Sequence, residues 1–549
     1  MVLLRAWNAR RSQRHPLAEK AVGLARMLDL HADLTKALPK LRVSSDPADR
    51  VAYARDLWPR HHLAVRAGNV AEHKPGVIVW PTSTAEVQEL VKWAYATSTA
   101  LVPFGAGSGV CAGILPREDV VIVDLKRMSR WRDLDVSAPS LDVEAGAMGM
   151  PLEEELGRRG FTLGHFPSSI LCSTVGGWVA ARSAGQNSGY YGKMEDMVAE
   201  LELVTGTGEV VTMKRRASGP DLIPLVVGSE GTLGIITSAR LRLHPAPTAR
   251  SFASWSFPTT KHGWDAMRVM FQAGLRPAVC RLYDPFDAMI ARKGAVKRGD
   301  HHGGSPGVGA AALRSLLRRP AAFNELLATS IGNKLLGGAM IVAIFEGQGE
   351  GPSRAADEAR LLLEKLHGTY EGEGPARRWL QHRYSISYRQ APSIAAGLFI
   401  DTMEVAATWS RLGALYDGVR KALGESVFVM AHLSHAYPDG CCIYFSFAGS
   451  AAPGAKPGEW DASSEAVYDN AWKRALAAAV EAGGTLAHHH GVGRSKAPRL
   501  VDELGAGVEV VRALKRAFDP KGILNPGNLI PPIAPNPFVD DAHPRAHAS

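Results

Sequence analysis

No apolar run in this chain reaches the roughly 18 residues needed to cross a bilayer, and the opening Met-Val-Leu-Leu is too short for the core of a secretion signal. Cysteine is scarce, with five residues in 549: Cys111, Cys172, Cys280, Cys441 and Cys442. Their number and separation give no disulfide framework and fit a reducing compartment. They read as small buried side chains, and adjacent Cys441 and Cys442 point to opposite faces if their segment is a strand. Both familiar nucleotide signatures, GxGxxG and GxxxxGK(S/T), are missing. So are the helix and finger motifs, and any basic stripe interleaved with aromatics, that would mark a nucleic-acid binder. Charge of neither sign dominates: 63 Lys plus Arg against 54 Asp plus Glu leave +9, an excess compatible with an anionic substrate or a membrane surface. With 46% hydrophobic and 21% charged residues the chain is a folded soluble protein rather than a disordered one. Its length predicts two or three domains.

What is present begins with Pro103-Phe104-Gly105-Ala106-Gly107-Ser108-Gly109. Small residues after the apolar Ala100, Leu101 and Val102 let backbone amides converge on an anion with no side chain in the way, as a pyrophosphate requires. A surface loop is the alternative reading. From Pro75 onward short apolar strands alternate with polar helices. Val77 to Trp80 reads as a strand, and Thr84 to Ala96 as a helix with Val87, Leu90, Val91 and Ala94 inward, capped by Ser83 or Thr84. Residues 120–125, 141–145, 198–204 and 235–243 supply further strands. Gly206-Thr207-Gly208 reads as a hairpin turn, and 176–192 is too rich in turns to be one helix. Residues 1–70 read as a basic, mostly helical lead-in with Leu24, Leu28 and Leu30 against another domain. A second mixed domain begins beyond Pro245 and Pro247. Gly299–Gly309, Gly347–Ser353 and Ala451–Gly458 read as exposed insertions, and 531–549 as an extended, flexible tail.

Four separated segments then carry a resemblance. Pro103–Gly109 resembles the first pyrophosphate loop of the vanillyl-alcohol-oxidase type FAD-binding superfamily. Pro167, Ser168, Ser169, Ser173, Thr174, Gly176 and Gly177, continued by Ala180, Arg182 and Ser183, resemble its second FAD segment. Glu230, Gly231, Gly234, Ile235 and Ile236 resemble the third, and Phe518–Leu529 the carboxy-terminal return to the flavin domain. The resemblance implies an α+β fold: a PCMH-type FAD-binding domain over 71–247, a mixed α/β substrate (cap) domain over 248–510, and a return over 511–530. It implies FAD, with Glu230 orienting its loop, since a carboxylate beside a diphosphate repels it. The first loop has no histidine for covalent attachment, so noncovalent FAD is expected.

A second set of residues narrows the chemistry. His488-His489-His490-Gly491-Val492-Gly493 and the Cys442–Phe447 strand are similar to segments of the alkyldihydroxyacetonephosphate (alkylglycerone-phosphate) synthase family. That resemblance implies Tyr444 as the catalytic tyrosine, aided by His488, His489 and His490. It also implies roles for Arg281 in catalysis and Arg389 in binding a substrate phosphate, with Glu404 and Trp409 nearby. Gln390 stands where the family pattern has aspartate. Tyrosine has an ordinary pKa of roughly 10, so it exchanges a proton only beside a base or compensating positive charge. Consecutive histidines share neither a helical nor a strand face, and no Cys, Asp or Glu partner pattern is evident, so no metal is expected. The implied reaction is redox-neutral: Tyr444 and the histidines remove and return a proton at C1 of an acylated dihydroxyacetone phosphate, a fatty acid leaves, and a long-chain alcohol forms the ether. A homodimer in the cytoplasm, touching membranes to collect a phosphorylated, lipid-like substrate, is the matching expectation. Two other readings stay open: an FAD-dependent dehydrogenase or oxidase of a small hydroxy acid or alcohol, and an FAD-stabilised interaction protein.

Overall fold

The first sheet forms from short β-branched runs. Arg42–Ser44 (β1) pairs antiparallel with Val77–Trp80 (β2), and β2, Val120–Asp124 (β4) and Ala100–Phe104 (β3) follow in parallel. The structure is a computed structural model that describes residues 29–71, 73–293, 336–384 and 391–530, with residues 320, 321, 324, 325 and 329 between them. β2 and β4 are buried along their whole length, as parallel strands covered on both faces must be. The helix Thr84–Thr97 covers one face with Val87, Leu90, Val91 and Ala94. The larger aliphatic side chains on that face contribute about 1.5–3 kcal/mol each. Ser83 caps this helix by accepting from the Glu86 amide. The described part of the lead-in carries the helices Pro47–Ala52 and Arg60–Arg66 together with β1, which joins the first sheet. Leu30 packs on the core, whereas Leu24 and Leu28 lie outside the described residues.

Five antiparallel strands make the second sheet: Trp131–Asp135 (β5), Ser140–Glu144 (β6), Val198–Val204 (β8), Val210–Lys214 (β9) and Ile235–Arg242 (β10), in the order β5-β6-β10-β8-β9. Phe161–Thr162 (β7) pairs separately with His244–Pro245 (β11). The glycine-rich stretch breaks into two short helices, Val175–Ala180 and Ser188–Tyr191.

After Pro247 seven strands form one antiparallel sheet. They are Ala249–Phe257 (β12), Val279–Tyr283 (β13), Ala339–Gly347 (β14), Thr369–Tyr370 (β15), Phe399–Thr408 (β16), Phe428–Ala436 (β17) and Gly440–Gly449 (β18), ordered β15-β12-β14-β13-β17-β18-β16. Alternation along β18 divides its chemistry. Cys441, Ile443, Phe445 and Phe447 enter the core beneath the helices Leu412–Gly424 and Trp460–Glu481, leaving Tyr444 and Ser446 on the opposite face. All five cysteines are free. Of the expected insertions, Gly347–Ser353 runs into the helix Gly351–Lys365, Ala451–Gly458 is a turn ending in a short 3-10 helix, and Gly299–Gly309 lies outside the described residues, as do 531–549. Near its end the chain returns to β3: Leu101 donates to Ile523 O and Asn525 donates to Leu101 O, both at 2.8 Å. No described helix is long and apolar enough to cross a membrane.

Candidate active site

A cavity of about 1040 Å³ lies between the seven-stranded sheet and the loops of the first two sheets. The three small-residue loops meet on its wall. A Cβ on Gly105 would lie 2.4 Å from the Thr174 hydroxyl, and one on Gly231 would lie 3.0 Å from the Pro103 ring. Only residues without side chains let these segments touch. The amides of Ala106 to Gly109 have no acceptor among the described residues. Gln186 Oε1 and Asn525 Oδ1, on the same wall, are buried and unpartnered. Convergent bare amides suit a diphosphate, and buried orphan polar atoms are costly until a ligand completes them. The residues present therefore fit FAD.

Pro103 and Phe104 belong to β3 itself, and Gly105–Gly109 form the loop; all seven line the cavity. Pro167, Ser168, Ser169, Thr174, Gly176, Gly177, Ala180 and Ser183 line it from the second segment, and Glu230, Gly231, Gly234 and Ile236 from the third. Three of the expected residues are turned elsewhere. Ser173 accepts from the Trp178 indole at 2.8 Å in the interior. Arg182 donates to Val227 O at 2.9 Å and pairs with Glu195 at 3.1 Å. Ile235 alternates with Ile236 on β10 and is fully buried in the core.

At the other end stands Tyr444. Strand register puts Glu404 of β16 and His432 of β17 on either side of it, and the His432 ring stacks on it at 4.7 Å. The histidine segment crosses the edge of β16, where Thr485 bridges Ala406. Glu404 Oε1 holds the segment, accepting from the amides of His488 (2.5 Å) and His489 (2.6 Å) and lying 2.9 Å from His489 Nδ1. His489 Nε2 then lies 2.5 Å from the Tyr444 hydroxyl. Burial opposes the charge on Glu404, but the charge and hydrogen bond of His489, with buried Lys496 at 3.6 Å, hold it well below the ordinary carboxylate range. Burial, then Cys442 and Glu404, push Tyr444 well above the ordinary tyrosine range. Burial lowers His488 and His490 to about 3. The three histidines diverge: His489 and His490 line the cavity, while His488 is turned toward Tyr437.

Glu230 acts on the same segment from the flavin side. Its carboxylate accepts from the amides of Val492 (2.6 Å) and Gly493 (2.9 Å) and from Asn528 at 3.0 Å. Gly493 is required there: its φ is +56°, and a Cβ would lie 1.9 Å from Cys111 O. Arg281, on β13, lines the cavity with its Nε buried and unpartnered and its guanidinium 5.7 Å from the Tyr283 and Trp379 rings. Arg389 lies outside the described residues. Arg383, which the sequence reading missed, lines the cavity over the Phe166 ring. Also missed was His435, beside Tyr444; a bulge in β17 carries it there. Glu404, Cys442, His488 and His489 bring potential metal-ligand atoms within 4.8 Å of one another, a set invisible in sequence because it draws on three segments. Glu404 Oε1 and His489 Nδ1 are already engaged with each other, and burial keeps the Cys442 thiol protonated.

A family profile described as FAD binding domain matches residues 75–214. Alkyldihydroxyacetonephosphate synthase of Trypanosoma brucei brucei is 28% identical over 91% of this chain and 80% of its own length. A solved alkyldihydroxyacetonephosphate synthase superposes with a TM-score of 0.68 at 26% identity, covering 94% of this chain and 85% of the other. The fold is also that of p-cresol methylhydroxylase, with a TM-score of 0.65 at 16% identity over 93% of this chain and 97% of the other. A profile described as FAD linked oxidases, C-terminal domain, matches residues 246–529, more than half of the chain; the protein belongs to this family of FAD-linked enzymes, on a PCMH-type flavin fold.

Proposed function

We propose that the protein exchanges the acyl group of an acyl-dihydroxyacetone phosphate for a long-chain alcohol, giving an alkyl ether and a fatty acid without net oxidation. The observation that carries this reading is the Glu404–His489–Tyr444 row on the wall facing the flavin cradle. FAD, when bound, supplies an electrophilic ring nitrogen able to hold a carbon without an external electron acceptor. Tyr444 handles the proton at C1. Its hydroxyl gives its own proton to His489 Nε2, and Glu404 stabilises the imidazolium that forms, the arrangement by which a base is oriented by a third group. Arg281, with Arg389 and Arg383, supplies positive charge for the phosphate through charge-assisted hydrogen bonds. Gly105–Gly109, Thr174–Gly177 and Gly231 hold the cofactor, noncovalently because the first loop offers no histidine. The same reading includes a homodimer that contacts membranes peripherally from the cytoplasm; sedimentation and flotation with vesicles test these two points.

The reaction is tested by mass spectrometry of products from acyl-dihydroxyacetone phosphate and a long-chain alcohol. Ether should form with no consumption of an electron acceptor. Strict acceptor-dependent oxidation of a hydroxy acid, with no ether, would select a dehydrogenase instead. Flavin released intact on denaturation is the expected sign of noncovalent binding.

A further inference from the structure

The Tyr444 hydroxyl has a second nitrogen beside it, His435 Nε2 at 3.0 Å. His435 Nδ1 lies 2.7 Å from Ser188 Oγ, which in turn lies 3.0 Å from the Tyr437 hydroxyl. His435 and Ser188 are buried, whereas Tyr437 is partly exposed beside the exposed Pro438 and Asp439. The backbone is distorted to build this row. β17 bulges between Ser434 and Ala436, and His435 has φ +54°. A non-glycine residue held there costs about 1–3 kcal/mol and persists where surrounding structure demands it. Straight alternation would have left His435 on the apolar face with Leu433. Ser188 comes from the flavin side, on the helix Ser188–Tyr191.

Proton positions follow from the Glu404 end. His489 Nδ1–H donates to Glu404, so His489 Nε2 is bare and accepts from Tyr444. The Tyr444 oxygen accepts from His435 Nε2–H, His435 Nδ1 accepts from Ser188, and Ser188 accepts from Tyr437. From His489 to Ser188 each hydroxyl and ring gives one bond and takes one, and Tyr437 gives one to Ser188. Burial above all, with Arg281 nearby, holds His435 well below the ordinary histidine range, so it is neutral, as the row requires.

We infer that His435, Ser188 and Tyr437 form a proton path between Tyr444 and the protein surface. The inference rests on the proposal that Tyr444 exchanges a proton during turnover. Once Tyr444 has returned a proton to C1, the His435 Nε2 proton moves to its oxygen, the Ser188 proton to His435 Nδ1, and the Tyr437 proton to Ser188. Tyr437 then takes one proton from water. One proton enters, no bond between heavy atoms changes, and the reverse sequence restores the starting tautomer. His435 is thus a positioning and relay residue acting through Tyr444. The groups around it are His488 and His489 from the histidine segment, Arg281 from β13 and Glu404 from β16; Tyr444 of β18, with Cys442 acting on it and His432 stacked on it, stands at His435 Nε2. Lys193 stands 5.8 Å from the Tyr437 ring at the outer end.

The test uses FAD-loaded enzyme and four variants: Tyr444→Phe, Ser188→Ala, Tyr437→Phe and His435→Asn. Asparagine tolerates the left-handed backbone that His435 adopts. Ser188→Ala and Tyr437→Phe should lower kcat about tenfold, leave KM and FAD content at parental values, and enlarge the solvent deuterium isotope effect. His435→Asn should raise the pH at which Tyr444 ionises, followed by NMR of labelled tyrosine in the FAD-bound protein, by roughly one unit. The path is rejected if Ser188→Ala and Tyr437→Phe keep the parental kcat, pH profile and isotope effect while Tyr444→Phe is inactive; the proposed reaction then stands. Parental turnover by Tyr444→Phe overturns the proposed role of Tyr444 and the path with it.

Discussion

Tyr444 is half-buried beside Glu404 and Cys442, and desolvation holds its hydroxyl neutral at working pH, so its proton moves only where an acceptor already stands. Tyr444→Phe should therefore lower turnover by about 10²–10⁴-fold with FAD content unchanged; steady-state kinetics on flavin-matched samples checks this. A second consequence concerns stability. His490 is held near 3 by burial against an ordinary 6.5, so the unfolded chain binds its proton first as pH falls. Its contribution to stability is full above pH 6.5 and declines below it, by about 1.4 kcal/mol per pH unit. Buried Glu153 (about 7) and Asp401 (about 6) are raised and act in the opposite sense over part of that window. The measurable quantity is thus the difference between parent and His490→Asn in urea unfolding from pH 6.5 to 4.5, where the variant should show the shallower loss. Tyr444 and the histidine run were legible in sequence because consecutive residues make a recognisable motif. His435 was not, since counting by two along β17 places it on the apolar face and only the bulge reverses that.

The histidine segment has no regular hydrogen-bonding pattern of its own, and two carboxylates from different elements hold it: Glu404 of β16 at one end and Glu230 of the third loop at the other. Hydrogen bonds to a charged group contribute about 1.5–3 kcal/mol each. Glu230→Gln keeps one acceptor oxygen and loses the charge, so the segment should loosen without the fold opening. Hydrogen exchange at Val492 and Gly493 should speed up by one to two orders of magnitude, roughly the factor that 1.4–2.8 kcal/mol represents, with turnover falling in parallel. Unchanged exchange there would show that the Glu230 charge does not hold this end of the segment. Strands such as Val77–Trp80 and the hairpin at Gly206–Gly208 were legible because apolar runs end at turn residues. β1 was not, being three residues long and fixed by pairing to β2 rather than by its own pattern. Glu230 was expected to orient its loop; its hold on the histidine segment, 262 residues away in the chain, required the fold.

Across the whole molecule the last described segment closes the first domain. Ile523 and Leu524 are buried in the core beneath the flavin loops, and Leu101 exchanges two backbone hydrogen bonds with Ile523 and Asn525. Asp519 fixes the approach, accepting from Lys515 and from the amides of Ile523 and Leu524. Asn525 then donates to Gly113 O at 3.2 Å and Glu230 O at 2.8 Å, tying together the chain after the first loop and the third loop. FAD retention is therefore expected to depend on residues almost 300 positions beyond the third loop. Two variants separate anchoring from packing. Leu524→Ala removes core volume and should cost about 2–5 kcal/mol of unfolding free energy, yet leave FAD stoichiometric in the molecules that remain folded. Asn525→Ala removes the donor to both carbonyls and, with it, the orphan amide oxygen on the cavity wall. It should shift the FAD dissociation constant upward by about tenfold, the equivalent of one lost hydrogen bond of roughly 1.4 kcal/mol, together with a lower urea midpoint of the flavin-free protein, because Asn525 is buried with φ +39°. Fluorescence titration of released and rebound FAD gives the first quantity, and urea unfolding the second. If Asn525→Ala binds FAD as the parent does, the terminal segment serves the first domain as packing only, and the loops hold the cofactor without it.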